Sequence, residues 1–387
     1  MATTVKAAAR EAIDTGGDGL VELSHRIHAH PELAFEEERA SGWVAEALAG
    51  AGFAVEAGVC DLPTAFRASV GSGPLRIGIC AEYDALPGIG HACGHNLIAA
   101  MAVGAAIGLS RVADDVGIQV TVLGTPAEEG GGGKILMLER GAFEGVHAAM
   151  MVHPTPMDAV DPSIIAATDF KVRYTGKEAH ASAFPELGIN AADAMVVAQT
   201  AIGLLRQQMR STDRVHGIVT LGGEAPNVIP AHTEADYMVR ALTLAELPMI
   251  QERVMRCFEA GATATGATME VEHPHSPYAE MRHDAAMAAI YRQNAEAIGR
   301  SFPDLGELGQ RASGSTDMGN VSLAIPSIHP FIGIDSLPAV NHQPEFAAHC
   351  VSAVADHAVM DGATAMAWTA IDIATDNALR QRLTHTT

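Results

Sequence analysis

The chain has 387 residues, of which 48% are hydrophobic and 18% charged, and its formal net charge at pH 7 is -22. This composition is typical of a well-buried globular protein and excludes global disorder. The length exceeds what one hydrophobic core usually serves, so we expect two domains. Because the negative charge repels phosphate backbones, we expect no nucleic-acid partner.

The five cysteines are odd in number and dispersed along the chain. Such a pattern is not a disulfide framework and favours a reducing compartment. The N-terminus lacks a signal-peptide-like apolar segment. The longest nearly apolar run, residues 97–109, is shorter than the roughly 20 residues that a membrane span needs. We therefore expect a cytoplasmic protein with no membrane partner.

Helices and strands alternate along the first part of the chain. Two amphipathic helices are predicted on either side of Pro31, at residues 19–30 and 36–49. Strand, loop and helix then alternate to about residue 154, which is typical of a βαβ sheet. The buried strands of this sheet are predicted at residues 75–80, 118–123 and 146–152.

A different pattern begins near residue 166. Its elements follow the order β-α-β-β-α-β, which predicts a small four-stranded sheet backed by two helices. They are predicted at residues 169–175, 190–209, 217–221, 233–241, 247–263 and 268–272. After residue 283 longer helices and short apolar strands return, among them a strand at 327–334 and a helix at 350–373.

These two patterns together predict an α/β protein with a discontinuous larger domain. The larger, mixed-sheet α/β domain would comprise residues 1–165 and 279–387. A ferredoxin-like α+β domain would be inserted at residues 166–278.

Potential metal ligands are concentrated in the segment His91-Ala92-Cys93-Gly94-His95. It follows the first predicted buried strand, and ligands gather at the carboxyl ends of parallel strands. Zinc favours Cys and His donors, and Gly94 lets the backbone bend so that Cys93 and His95 can face one cavity. By itself Cys93 could equally be a small buried hydrophobic residue. His91 could join the ligands or cap the loop.

Two adjacent carboxylates, Glu128 and Glu129, follow the second predicted strand. Both fit a confined site only if something positive neutralises one of them. The natural division is that one binds metal while the other holds a water and moves protons. The alternative is an exposed acidic turn before a glycine-rich loop. That loop is not a phosphate-binding motif, because Glu128 and Ile135 stand where the motif needs Gly and Ser or Thr.

Two further histidines depend on context. His153 ends the third predicted strand, in register with the two clusters, and this register makes it a candidate ligand. His342 lies in a polar turn, and nothing in its local sequence indicates a function.

Seven segments, in order, carry a family resemblance. They are His25-Arg-Ile-His-Ala-His-Pro-Glu-Leu33, Asp84-Ala-Leu-Pro87, Cys93-Gly-His-Asn96, Thr125-Pro-Ala-Glu-Glu-Gly130, Gly176-Lys-Glu-Ala-His-Ala-Ser182, Gly314-Ser-Thr-Asp-Met-Gly-Asn320 and His342-Gln-Pro-Glu-Phe346. In them the chain resembles the dinuclear metallohydrolases that include aminoacylases, carboxypeptidase G-type enzymes and auxin-conjugate amidohydrolases. The branch it resembles most contains aminobenzoyl-glutamate hydrolase and the β-alanyl-dipeptide-cleaving dipeptidases.

The resemblance implies a pair of divalent metal ions, zinc, manganese or cobalt, as cofactors. Cys93 would bridge the two ions. His95 and His153 would bind one of them, and Glu129 and His342 the other.

The resemblance also implies catalytic residues and a homodimer. Glu128 would deprotonate the attacking water and later protonate the departing amine, and Asp84 would orient a ligand. The inserted domain would serve in dimerisation and as a lid, and its His180 would stabilise the oxyanion in the active site of a neighbouring subunit. The implied substrate contacts are Asn227, Arg240 and Asp317.

The chain departs from the auxin-conjugate branch at Asn96 and in the segment around Asp317, which favours the dipeptide or folate-fragment branch. We therefore expect an amidohydrolase that cleaves an N-acyl amino acid, an aminobenzoyl-glutamate-type conjugate or a dipeptide. One alternative is a hydrolase of carbamates or esters that uses the same activated water. Another is a non-catalytic metal-dependent binding protein, against which the intact Glu128 and complete ligand set argue.

Overall fold

The computed structural model describes residues 2–304 and 314–385. The chain divides into two compact units. The larger unit consists of Met1–Ser163 and Met281–Thr387, and the smaller unit of Ile164–Glu280. In the described ranges, every helix is too short or too polar to traverse a lipid bilayer.

The larger unit is built on a mixed six-stranded sheet. Its strands are β1 (Ala54–Ala57), β2 (Phe66–Val70), β3 (Leu75–Ala81), β4 (Ile118–Gly124), β5 (Ala148–Met150) and β11 (Ser327–Ile328). They are arranged in the order β1-β2-β4-β3-β5-β11. The four strands from β4 to β11 are parallel, whereas β1 and β2 are antiparallel additions at one edge. A separate parallel pair is formed by β6 (His153–Thr155) and β12 (Phe331–Gly333).

Helices complete the larger unit. They are α1 (Ala2–Thr15), α2 (Gly17–His28), α3 (Glu38–Gly50), α4 (His95–Ser110), α5 (Ala113–Val116), α6 (Gly133–Glu139), α9 (Ala285–Ala297), α10 (Met318–Ala324), α11 (Pro344–His349), α12 (Ala353–Thr375) and α13 (Asn377–Thr384). The apolar helix α4 is buried on nearly all sides and packs against α12 and β3. The contact with α12 is close, because a Cβ on Gly104 would lie 2.8 Å from Cβ of Ala363. This packing fixes the N-terminal end of α4, where His95 lies.

The smaller unit has the predicted element order. It contains β7 (Ala166–Thr175), α7 (Ala191–Leu205), β8 (Arg214–Leu221), β9 (His232–Ala241), α8 (Leu247–Thr265) and β10 (Thr268–Glu272). Its antiparallel sheet has the order β10-β7-β9-β8, and the two helices cover one face over a core that includes Phe170 and Phe258. Helix α7 begins where the side chain of Asn190 accepts hydrogen bonds from two backbone N–H groups. The expected mixed α/β architecture is confirmed.

Some predicted elements were wrong in detail. The apolar stretch 146–152 is not one strand: β5 ends at Met150, and His153 begins β6 instead of ending a strand. The stretch 327–334 likewise forms two short strands. Helix α1 was not predicted.

Candidate metal centre

The candidate site lies at one edge of the six-stranded sheet, where β3 and β4 end. The last residues of these two parallel strands are paired with each other. The polar residues that follow them therefore start from the same edge of the sheet. Glu82 and Asp84 follow β3, and Glu128 and Glu129 lie in the loop after β4.

A turn at Gly94 brings Cys93 and His95 to this edge. Gly94 has a φ of +81°, in the left-handed region that glycine adopts without strain. A Cβ at this position would lie only 2.4 Å from Cγ of Pro154. A larger residue would therefore push the turn away from the segment that carries His153. Helix α4 begins at His95, directly after the turn.

Cys93, His95 and His153 form a first group of potential metal ligands. Their donor atoms all lie within 4.8 Å of one another. Sγ of Cys93 is 3.4 Å from Nε2 of His153. Tetrahedral ligands of one zinc ion, with Zn–S and Zn–N distances of about 2.3 and about 2.0 Å, would be about 3.5 Å apart. These two donor atoms are thus spaced as ligands of a single ion.

Cys93 belongs also to a second group, with Glu129 and His342. These donor atoms again lie within 4.8 Å of one another. Oε2 of Glu129 is 3.6 Å from Nε2 of His342, and the two side chains are 9% and 58% exposed. A thiolate shared by both groups could bridge two ions, and solvent reaches the second group from the His342 side.

Two non-glycine residues beside these ligands have a left-handed backbone, with φ of +59° at Ala127 and +69° at His342. Each such conformation costs of order 1–3 kcal/mol and persists only where the surroundings hold it. The N–H of Ala127 donates to Oε1 of Glu37, and the N–H of His342 donates to the carbonyl of Ala92, both at 2.8 Å. These bonds fix the directions in which the following loop and the His342 ring project.

Asp84 contacts a member of each ligand group, His95 in the first and Glu129 in the second. Its Oδ1 lies 2.8 Å from Nδ1 of His95, and its Oδ2 accepts a 2.9 Å hydrogen bond from the N–H of Glu129. Burial alone would raise the pKa of Asp84, but the charge and hydrogen bond of His95 outweigh burial and lower that pKa. One carboxylate thus orients the ring of one potential ligand and the backbone of another.

Glu82, His95 and Glu128 form a third group with donor atoms within 4.8 Å of one another. Nε2 of His95 is 3.5 Å from Oε2 of Glu82 and 3.8 Å from Oε2 of Glu128. Glu128, the predicted base, therefore lies beside the first ligand group.

A fully buried ion network supports Glu82. Nζ of Lys134 is 2.5 Å from Oε1 of Glu82 and 2.7 Å from Oδ1 of Asp317. The N–H of Lys134 donates to Oδ2 of Asp317 at 2.8 Å. Burial would lower the pKa of Lys134, but Asp317 and Glu82 outweigh it and hold the pKa well above its usual value. Because Lys134 engages both carboxylate oxygens of Asp317, the substrate contact of Asp317 stays a prediction.

The electrostatics of the site call for added positive charge. Burial raises the pKa of Glu128 well above its usual range, and the charges of Glu82 and Glu129 raise it further. Burial also raises the pKa of the Cys93 thiol, with Glu129 adding to the effect. Divalent cations would reverse both effects, since a coordinating thiol is deprotonated outright.

Each of the two groups that share Cys93 has a potential ligand atom that is buried without a partner. Among the residues that the structure describes, Nε2 of His95 and Oε1 of Glu129 have no hydrogen-bond partner. An unsatisfied buried polar atom costs about 1–3 kcal/mol unless something else binds it. The donor types, their spacing and these unpaired atoms fit divalent metal ions.

The remaining predicted residues lie in the smaller unit, and their roles stay predictions. His180 and Asn227 are exposed neighbours, since the N–H of Ala181 donates to the carbonyl of Asn227 at 3.0 Å. The segment after Asn227 leads into β9 at His232, whereas Arg240 lies near the other end of that strand. The eight steps from His232 to Arg240 span about 26 Å. Asn227 therefore precedes one end of β9, whereas Arg240 lies near the other end.

Sequence reasoning did not identify two residues of the site. Glu82 offered one signal, a carboxylate directly after a buried strand, and Lys134 only its place in the glycine-rich loop. The sequence allowed two roles for His91, a metal ligand or a cap of the loop. The structure places it in the interior near the ring of His28, and it belongs to none of the ligand groups found in residues 2–304 and 314–385.

A protein-family model described as peptidase family M20/M25/M40 matches residues 78–366 of the chain. The Xaa-Arg dipeptidase of Mus musculus is 40% identical over 386 residues, which cover 95% of this chain and 89% of that protein. One of the p-aminobenzoyl-glutamate hydrolase polypeptides of Escherichia coli K12 is 34% identical over 281 residues, covering 67% of this chain and 58% of that protein.

A solved structure shows a similar fold. It is a dinuclear metal-binding peptidase of Bacillus subtilis, with a TM-score of 0.70 and 22% sequence identity over 93% of this chain and 99% of that chain. The resemblance predicted from the seven motifs is confirmed by these similarities.

Proposed function

Because the chain belongs to the peptidase family M20/M25/M40 and is a metal-dependent hydrolase of amide bonds, we propose that it cleaves dipeptides whose C-terminal residue is basic. Support comes from the mouse Xaa-Arg dipeptidase, which is similar over 95% of the chain, against 67% for the p-aminobenzoyl-glutamate hydrolase. The net charge of -22 also favours the approach of a cationic substrate.

The observation that carries the proposal is the pair of ligand groups that share Cys93, with Glu128 beside them. Cys93 would bridge two ions, His95 and His153 would complete one position, and Glu129 and His342 the other. Zinc, manganese or cobalt would suit these thiolate, imidazole and carboxylate donors. When bound, the two ions would lower the pKa of a water toward neutrality and polarise the amide carbonyl.

The residues of the chain would move the protons. The Glu128 carboxylate would take a proton from the attacking water and deliver it to the departing amine, a role that typically contributes 10²–10⁴-fold, i.e. about 3–5 kcal/mol. Asp84 would keep the His95 ring in place through the 2.8 Å contact at Nδ1. His180 of a second chain would donate a hydrogen bond to the developing oxyanion, an effect often worth roughly 3–4 kcal/mol.

A homodimer formed through the smaller unit is part of this proposal. In the order β10-β7-β9-β8, strand β8 is an edge strand, and all of its residues except Val215 are exposed. Apolar side chains are exposed on this strand and on helix α7, with Ile218 of β8 at 66%, Val196 of α7 at 59% and Leu204 of α7 at 72%. An unpaired edge with apolar neighbours is a template for another strand. We propose that a second copy of the chain covers it and that residues 166–278 act as the dimerisation and lid domain.

Subunit mixing tests this arrangement. His180→Ala and Glu128→Gln should each abolish most activity in a pure preparation. Refolding or co-expressing the two variants together should restore part of the activity, because one site of a mixed dimer then has both residues. A mixture no more active than its components would contradict the proposal that His180 acts in the active site of the neighbouring subunit. We also place the protein in the cytoplasm, since all five cysteines are free thiols.

A substrate panel tests the reaction itself. Protein loaded with zinc, manganese or cobalt would be assayed on dipeptides that end in Arg, Lys or Glu, on p-aminobenzoyl-glutamate, and on N-acetyl amino acids. Carbamates and esters would be included, and Glu128→Gln would be the negative control. We expect the highest kcat/KM on dipeptides ending in Arg or Lys. Faster cleavage of p-aminobenzoyl-glutamate, a carbamate or an ester would overturn the proposed substrate class.

A further inference from the structure

Glu82 is a buried carboxylate to which the proposed mechanism gives no task. It directly follows β3, and its side chain is fully buried. Oε1 pairs with Nζ of Lys134, but Oε2 has no hydrogen-bond partner among the described residues. A charged oxygen in this condition is costly unless a cation or a donor binds it. The structure therefore calls for an occupant next to Oε2.

The distance from Glu82 to His95 indicates what that occupant is. Oε2 of Glu82 lies 3.5 Å from Nε2 of His95, which is also buried and without a partner among the described residues. Two ligands of one zinc ion, with Zn–N and Zn–O distances of about 2.0–2.2 Å, are about 3.3–3.6 Å apart at tetrahedral angles. The two unpaired atoms thus have the separation of ligands on a common ion.

The surroundings hold Glu82 in the orientation that a ligand needs. Lys134 engages Oε1 and is itself fixed by Asp317, with which it makes contacts of 2.7 and 2.8 Å. Ligating carboxylates are commonly held in this way by hydrogen bonds to the oxygen that does not bind the metal. The Lys134 cation also offsets the negative charge that a further carboxylate brings to the site.

Resting on the proposed function, we propose that Glu82, whose donor atom groups with those of His95 and Glu128, is a ligand of the ion at the position of Cys93, His95 and His153. That position then has four protein ligands, whereas the position of Glu129 and His342 has three with the shared Cys93. Four protein ligands close a zinc site, and three leave a place for water. The two ions therefore bind with unequal affinity, and the more tightly held ion is the one next to Glu82.

Metal titration of the metal-free protein tests this assignment without relying on activity. In calorimetry, wild-type protein should bind two ions of Co²⁺ or Zn²⁺ in distinguishable steps. Glu82→Gln keeps the volume and an acceptor for Lys134 but removes the charge, and it should weaken the tighter step by more than about 100-fold. Loss of a residue that only hydrogen-bonds to a ligand, or holds it in place, lowers metal affinity by about 10–100-fold. Asp317→Asn, the matched control, disturbs the same Lys134 network and should stay within that smaller range.

The visible spectrum of the first Co²⁺ equivalent gives a second measurement. Loss of a ligand changes the coordination number and hence the intensity of the ligand-field bands in Glu82→Gln, while the sulfur-to-cobalt band from Cys93 persists. Asp317→Asn should have the wild-type bands. Far-UV circular dichroism checks that the variants fold. Glu82→Asp is a second variant, and because its shorter carboxylate cannot reach the ion, its ligand-field bands should change as those of Glu82→Gln do.

The outcomes separate this assignment from the proposed function. If wild-type protein binds two ions and Glu82→Gln binds them with unchanged affinity and spectrum, Glu82 is not a ligand and the proposed hydrolase mechanism still stands. If wild-type protein binds no ions, both proposals are overturned.

Discussion

Asp84 and His95 form a buried pair in which Oδ1 of the carboxylate lies 2.8 Å from Nδ1 of the ring. An Nδ1–H that donates to Asp84 leaves the lone pair of Nε2 directed at the ligand groups, and this is the tautomer that a metal needs. The second oxygen of the same carboxylate accepts the N–H of Glu129. Asp84 therefore orients a potential ligand in each of the two groups that share Cys93.

Asp84→Asn should weaken metal binding without unfolding the chain. An amide at this position can donate to Nδ1 and so select the wrong tautomer of His95. We expect a loss of about 10–100-fold in metal affinity, measured by competition with a chromophoric chelator. Asp114→Asn, an exposed change at α5, is the control. Unchanged affinity in Asp84→Asn would remove the orienting role.

Glu128→Gln should keep both metals and lose most turnover. The substitution preserves the size of the side chain but removes the group that accepts the proton, so kcat should fall by about 10²–10⁴-fold. Single-turnover kinetics together with elemental analysis measure both properties. Glu46→Gln, on the exposed face of α3, should have wild-type activity. Wild-type kcat in Glu128→Gln would exclude it as the base.

Lys134→Met should destabilise the larger unit severely. The substitution leaves Glu82 and Asp317 buried next to each other with no cation between them. Breaking a buried ion pair in this way costs about 3–5 kcal/mol, which urea unfolding of the metal-free protein would measure. Lys177→Met, an exposed change, should alter the free energy of unfolding by less than about 0.5 kcal/mol. Equal stability of the two variants would contradict the role of the network.

Glu37 should make the stability of the metal-free protein pH-dependent. Burial, aided by the charge of Asp84, raises the pKa of Glu37 from 4.5 to about 7. Between these values the folded chain binds a proton that the unfolded chain has released, so the contribution of Glu37 to stability is largest below about pH 4.5 and falls as pH rises to about 7. The fall attributable to Glu37 is about 3 kcal/mol.

Glu37→Gln should flatten this part of the stability curve. The amide can still accept the N–H of Ala127, so the loop before Glu128 keeps its hydrogen bond. Urea unfolding between pH 4.5 and 7 measures the slope. The same slope in the variant and in wild type would show that Glu37 ionises normally.

The ligand clusters could be predicted because strand ends in a parallel sheet converge. Cys93 and Glu129 each follow a run of apolar residues that forms a buried strand, and both lie at the same edge of the sheet. His342 gave no local signal, because it lies in an irregular loop between β12 and α11. Only the family motif indicated it.

Other features depend on contacts that no local pattern carries. Lys134 looks like a loop lysine, since its partner Asp317 is 183 residues away in the chain. The apolar stretch before His153 has no periodicity that could show where β5 ends and β6 begins. Helix α1 buries mainly Ala9 and Ile13, which is too small an apolar face to stand out in the sequence.

The positions of Asn227 and Arg240 also depend on contacts that the local sequence does not show. Both motifs resemble substrate contacts, but sequence spacing does not show that they lie toward opposite ends of β9. Register and strand direction decide this, and both are set by pairing with β7 and β8.

The central claim is that Cys93 bridges a pair of divalent ions. Elemental analysis of metal-saturated, gel-filtered protein tests it most directly, with Cys93→Ala as the variant and Cys257→Ala, in α8 of the smaller unit, as the matched control. We expect two ions per chain in wild type and Cys257→Ala, and fewer than one in Cys93→Ala. Two ions per chain in Cys93→Ala would contradict the account.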